Sequence, residues 1–161
     1  MHYKEKTHFY IHIRPRLFLG LICILTCSSF SFFVPQNTDV EQSIQKIIQT
    51  NPKLYTEIDE TLRFLKRDTV AINQMLTELD KSIYPEVVSY LINQKGTVYR
   101  YLSEFKIALK LHQEGLDLAQ QIKNKEFEVY SLNMIGVVYR RTDAIKTALD
   151  YNQRALEVAE S

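Results

Sequence analysis

The chain has 161 residues, room for one domain or a short repeat array but not for two large independent cores. Twenty Lys and Arg stand against nineteen Asp and Glu, a balance that excludes a strongly basic nucleic-acid binder and an acidic disordered tail. Apolar residues make up 45 %, with only four glycines, four prolines and no tryptophan, so a packed and mainly helical chain is expected rather than an all-β one.

The first segment differs from the rest. Lys4, Lys6, Arg14 and Arg16 face a single acid, Glu5, and no charge follows from Leu17 to Thr38. The run Leu17–Leu25 is apolar, and Thr26, Cys27, Ser28, Ser29 and Ser31 are small. Basic, apolar, then small is the layout of a secretory signal peptide, with cleavage fitting between Ser31 and Phe32. Two other readings share the export expectation. Left intact, residues 17–34 sit at the short end of a bilayer span and would anchor the chain in a membrane. Ile24-Leu25-Thr26-Cys27 resembles a bacterial lipoprotein box, which would acylate Cys27. A fourth reading packs the run internally in a cytoplasmic adaptor. The expectation is therefore a signal peptide or anchor over 1–34 and a periplasmic or otherwise extracytoplasmic remainder. Cys23 and Cys27 are the only cysteines, so a cleaved chain has no disulfide framework. Cleavage also removes four bases and one acid, leaving 16 against 18 and a net charge of −2.

Residues 38–84 read as N-terminal helices, a degenerate repeat or a cap. Thr38-Asp-Val-Glu41 is a capping box opening a helix through Thr50. Asn51-Pro52 breaks it and starts another, with the stripe Leu54, Ile58, Leu62, Leu65. After Arg67-Asp68-Thr69 a further stripe runs Ile72, Met75, Leu76, Leu79, Ile83, up to Pro85.

Residues 85–161 hold an internal repeat. Shifting the chain by 40 residues aligns Ser89–Ala119 with Val129–Ala159, and 12 of 31 pairs are identical, far above chance. Each unit reads as two helices with apolar residues at helical spacing, separated in the second unit by a polar break at Arg140–Ala144. Gly136, Ala148 and Ala155 let helix axes approach, while Tyr139 and Leu156 fill the space between them. One hairpin cannot bury its apolar face alone, so neighbours must stack.

Gly136-x-x-Tyr139, then Ala148 and Ala155-Leu156, resembles the tetratricopeptide repeat pattern G-x-x-Y…A…A-L. Gly96-x-x-Tyr99, Ala108 and Leu116 repeat it, with Gly115 in place of the second alanine. The resemblance covers residues 86–161 and implies an all-α fold: an α-solenoid of stacked antiparallel helix hairpins, preceded here by the hydrophobic export segment. The 40-residue period exceeds the usual 34 and resembles the longer-helix variety of that family. The turn glycine is replaced by Ser103 and Asp143, and Ile92 and Leu132 stand where an aromatic is usual. Leu156 and Val158 on the last helix present apolar surface without a partner, so a continuation past Ser161 or a covering partner is expected.

The resemblance further implies a concave surface lined by the first helix of each repeat. Tyr90, Asn93, Thr97, Arg100 and Tyr101 fall there in the first repeat, and Tyr130, Asn133, Val137, Arg140 and Arg141 in the second. Asn amides suit a peptide backbone, Arg a carboxylate, and Tyr supplies rigid contact area. The alternative is that Asn and Arg merely satisfy neighbouring helices.

Catalytic candidates are few. His2, His8 and His12 precede the apolar run, leaving His112, which sits where the family places a packing aromatic. No His/Cys spacing suits zinc and no glycine-rich loop follows a strand, so neither metal nor cofactor is expected. Glu57, Asp59 and Glu60 read as a solvated helix face. The expectation is a non-catalytic scaffold binding a protein or peptide and no nucleic acid, in contact with membrane through residues 17–34 if these stay uncleaved. The alternative is the extracytoplasmic sensory region of a larger signalling enzyme, a histidine kinase or diguanylate cyclase whose catalytic part lies elsewhere.

Overall fold

A computed structural model describes residues 38–65 and 67–161. The export segment over 1–34, with both cysteines and His2, His8 and His12, lies outside the described residues. Among the described residues there are seven α-helices and no strand, and no helix is long and apolar enough to cross a membrane.

Helix α1 (Thr38–Thr50) buries Val40, Ile44 and Ile47, which share one face at helical spacing. Asn51 then turns into the left-handed region at φ 43° while its N–H donates to the Ile47 carbonyl at 2.8 Å, ending the helix. Helix α2 (Tyr55–Leu62) tightens into a 3-10 turn over Arg63–Leu65, burying Ile58, Leu62 and Leu65. Leu54, expected in that stripe, is exposed because it is the residue before the first helical one. The Glu57 carboxylate accepts from the Lys53 and Leu54 N–H groups at 3.3 and 3.4 Å and holds this entry.

Helix α3 (Thr69–Glu78) starts on Asp68, whose carboxylate accepts from Val70 N and Ala71 N, both at 3.0 Å. It stops short of Ile83. Asp80 draws the N–H and hydroxyl of Ser82 onto its own carboxylate at 2.8 and 2.7 Å, a local turn that competes with helix. Ile83 is consequently exposed, whereas Leu79 remains buried.

Helices α4 (Pro85–Tyr101), α5 (Phe105–Gln121), α6 (Lys125–Arg141) and α7 (Ile145–Glu160) follow with three-residue connections. The pairs α4–α5 and α6–α7 pack as antiparallel hairpins, α5 and α4 both rest on α6, and α3 rests on α4. The centre of each connection is left-handed: Ser103 at φ 63°, Lys123 at 55° and Asp143 at 58°. Each turn is closed by the N–H of the following residue donating five residues back, Glu104 to Tyr99, Asn124 to Ala119 and Ala144 to Tyr139, at 2.9 to 3.0 Å.

The main core joins α1 to α4 and reaches Ala119 and Phe127. A second cluster, around Leu116, Leu132, Ile135 and Ala155, fills the seam between the two hairpins. Equivalent positions are treated differently in the two repeats. Leu116 is 1 % exposed beneath α6, while Leu156, forty residues on, is 50 % exposed and Leu149 62 %.

Candidate binding face

Residues spaced three or four apart lie on one face of a helix, and α4 lines up Tyr90, Gln94, Thr97 and Tyr101 in this way. On α6 the same positions hold Tyr130, Met134, Val137 and Arg141. The two rows touch. Gln94 Nε2 donates to the Tyr130 hydroxyl at 3.3 Å, and the Thr97 hydroxyl lies 3.9 Å from Met134 Sδ. Gln94 and Met134 were not among the residues expected here, although both sit four positions after the tyrosines that open each row.

One end of this face is closed by α2. The Tyr55 ring packs against Tyr90, Phe127 and Tyr130, with centroids 5.5, 5.9 and 4.8 Å away, near the tilted arrangement aromatic pairs favour. Tyr55 N donates to Glu126 Oε2 at 3.0 Å, and Tyr90 donates its hydroxyl to Asp59 Oδ1 at 2.8 Å. Asp59 also pairs with Arg63 at 3.5 Å, so the acidic run of α2 is partly engaged rather than wholly solvated. Burial holds the Tyr55, Tyr90 and Tyr130 phenols above their ordinary range, and Asp59 adds to the effect on each. They stay neutral donors at any physiological pH. Beside them, Asp59, Leu62, Arg63, Leu65, Tyr90 and Gln94 line a hollow of about 180 Å3.

The expected face residues therefore divide. Thr97, Tyr130 and Val137 are partly buried along the two rows, Asn133 is partly buried off the α6 row, and Tyr101, Arg140 and Arg141 are exposed at the far end. Tyr90 is only 2 % exposed beneath Tyr55. Asn93 is fully buried and faces the interior. Its Nδ2 donates to the Ser89 carbonyl at 3.0 Å and to Ser131 Oγ at 2.9 Å, and its Oδ1 meets His112 Nδ1 at 2.9 Å. With the amide nitrogen donating twice, the oxygen is the acceptor, so His112 carries its proton on Nδ1. One carboxamide thus ties α4, α5 and α6 together.

Asn133 keeps the residue type and loses the role. Asn93 can enter the interior because Gly115 faces it; a methyl there would collide with Asn93 Nδ2. The second repeat has Ala155 at that position, and Asn133 is only partly buried. Similarly, His112 lies over Gly96, where an added methyl would be 2.7 Å from the ring. Burial, followed by the nearby Arg100 charge, lowers the His112 pKa to about 4. His112 is a neutral packing group whose Nε2 has no hydrogen-bond partner.

At the other end, Arg67 and Arg100 both approach the half-exposed Tyr101 ring, their guanidinium carbons 3.8 and 4.4 Å from its centroid. Hydrogen bonds and charge from Arg100, then Arg67, lower the Tyr101 pKa.

Paired helices of near-equal length, a repeated G-x-x-Y register and two matching rows on α4 and α6 make residues 85–161 a helical repeat. Residues 87–161 match the tetratricopeptide repeat. The matched stretch takes in nearly all of α4 to α7 and just under half of the chain. No curated protein and no solved structure matches the chain. Within the matched stretch, α4 and α6 each open a hairpin, and their two rows form the shared face. Asp59, Tyr55 and Arg67 lie upstream of the match, and no periodicity in the sequence marks them as neighbours of it.

Proposed function

We propose that the chain is a non-catalytic scaffold that binds a protein or peptide along the α4–α6 face, between the Tyr55 cluster and Tyr101. Tetratricopeptide repeats are helical scaffolds for protein binding, which supports the general class. The observation that carries the site is the pair of abutting rows, Gln94–Thr97 and Tyr130–Met134–Val137. They offer amide, hydroxyl, thioether and apolar groups side by side at partial exposure. Such a mixed strip suits an extended segment with alternating polar and apolar contacts. Helices of 16 or 17 residues support the long-helix, 40-residue variety of the repeat.

Residues 1–34 would export the chain, as a cleaved signal or as an anchor, on the strength of the basic flank and the uncharged run that follows.

The test of the face uses a nonapeptide array on immobilised full chain. Thr97→Arg with Val137→Arg should cut retained binding about tenfold or more by filling the strip with two long charged side chains, with thermal unfolding unchanged. Binding that survives this double variant defeats the assignment.

A further inference from the structure

We propose that the hollow where α2 and its 3-10 turn meet α4 is a subsite for one lysine side chain of the bound peptide. This rests on the peptide-binding reading and adds what the peptide carries. Asp59, Leu62, Arg63, Leu65, Tyr90 and Gln94 line about 180 Å3, below the roughly 300 Å3 at which small-molecule pockets begin. That is room for one long side chain. Gln94 joins the hollow to the binding face, because the same residue donates to the Tyr130 hydroxyl on the α6 row.

The lining selects a cation on an aliphatic stem. Asp59 Oδ1 accepts from the Tyr90 hydroxyl at 2.8 Å, while Oδ2 has Arg63 Nη2 alone, at 3.5 Å. A charge-assisted N–H···O bond closes at about 2.7–2.9 Å, so Oδ2 is under-used. The Arg63 side chain is 69 % exposed, and an i, i+4 pair so placed is weak. By contrast Glu86 and Glu126, in the first turns of α4 and α6, are held by Lys53 Nζ at 2.9 Å and Tyr55 N at 3.0 Å. The other polar groups of the hollow also accept. Gln94 spends its Nε2 on Tyr130, leaving Oε1 without a partner among the described residues, and the Tyr90 oxygen keeps a lone pair after donating. Three acceptors suit an ammonium, which has three donors and accepts nothing. Leu62 and Leu65 supply the apolar wall along which a lysine stem lies. Arg63 is the competing cation, and the peptide lysine releases it to solvent.

The first measurement needs no peptide. Full chain is titrated with n-butylammonium chloride, against n-butanol at equal concentration and sodium chloride at equal ionic strength, following the Gln94 side-chain amide in 1H–15N spectra. The amine should give a saturable shift that neither control gives. Asp59→Asn, which keeps an acceptor for the Tyr90 hydroxyl, should weaken the midpoint about fivefold or more. Arg63→Gln, at an exposed position, should tighten it about two- to fivefold by removing the competing cation. Loss of structure would not tighten binding. A shift that does not saturate, an equal response to n-butanol, or an Arg63→Gln chain that binds the amine no better overturns the subsite.

The second measurement compares nonapeptides, on immobilised full chain, that differ only in one Lys, norleucine or Glu. The lysine peptide should be retained about tenfold better than the norleucine one, which has the same stem without the charge, and Asp59→Asn should bring the two within about twofold. Peptides held without preference for lysine refute the subsite and leave the binding face standing. The amine bound while no peptide is retained refutes the face, and with it the peptide that the subsite serves.

Discussion

Asn93 decides how the first repeat is joined to its neighbours. Its amide is shared among Ser89, Ser131 and His112, and each partner sits on a different turn or helix. A buried polar network of this kind is stable only when its members keep their protonation states. His112 is the member that can change. Its pKa falls from 6.5 to about 4 on folding, so between those values the unfolded chain binds the proton and the folded chain does not. Stability from this residue is complete above pH 6.5 and declines as pH falls, by about 3 kcal/mol in all at pH 4. Urea unfolding at pH 7 and pH 4.5 should show the loss. His112→Asn, which keeps a donor toward Asn93, should be less stable at pH 7 but should flatten that part of the slope. An unchanged slope in the variant would mean that other groups govern acid sensitivity.

Among the elements, the three connections of the repeat region place Ser103, Lys123 and Asp143 in the left-handed region, where a Cβ is crowded. The missing turn glycine is thus a change of residue and not of geometry. Ser103→Gly and Asp143→Gly should each raise stability by about 0.5–1 kcal/mol, the relieved strain exceeding the extra freedom of the unfolded chain. Differential scanning calorimetry would register this as a higher midpoint; a fall would show that the serine or aspartate side chain stabilises the turn. Helix α3 teaches the opposite lesson about periodicity. Its apolar spacing continues to Ile83, yet the Asp80–Ser82 turn ends it sooner, because a short-range hydrogen bond outcompetes a weak stripe.

Across the whole molecule, the stacking direction shows in burial. Leu116 lies under α6 and Leu156 has no equivalent cover among the described residues. Leu116→Ala should cost about 2–4 kcal/mol in chemical denaturation, and Leu156→Ala under 1 kcal/mol. Equal losses would indicate that the outer face of α7 is covered in solution. Within residues 85–161 the four helices, their pairing into hairpins and the phase of the repeats were legible in the sequence because they follow from a 40-residue spacing that 12 identities fix. The fates of Asn93 and Asn133 were not, since the residue that separates them, Gly115 or Ala155, belongs to another helix. Nor was the closing of the face by Tyr55, whose backbone reaches Glu126 across 71 positions of chain. Local patterns report which side of a helix is greasy; they do not report what a distant segment brings to it.

The glycine opposite Asn93 also limits how the array can be re-engineered. Copying α7 into the place of α5 would set the Ala155 methyl against the carboxamide and exchange the imidazole for Asn152. The hairpins look like interchangeable bricks, yet they are cut for fixed berths. Shuffling or duplicating them would demand a compensating change on the preceding helix each time.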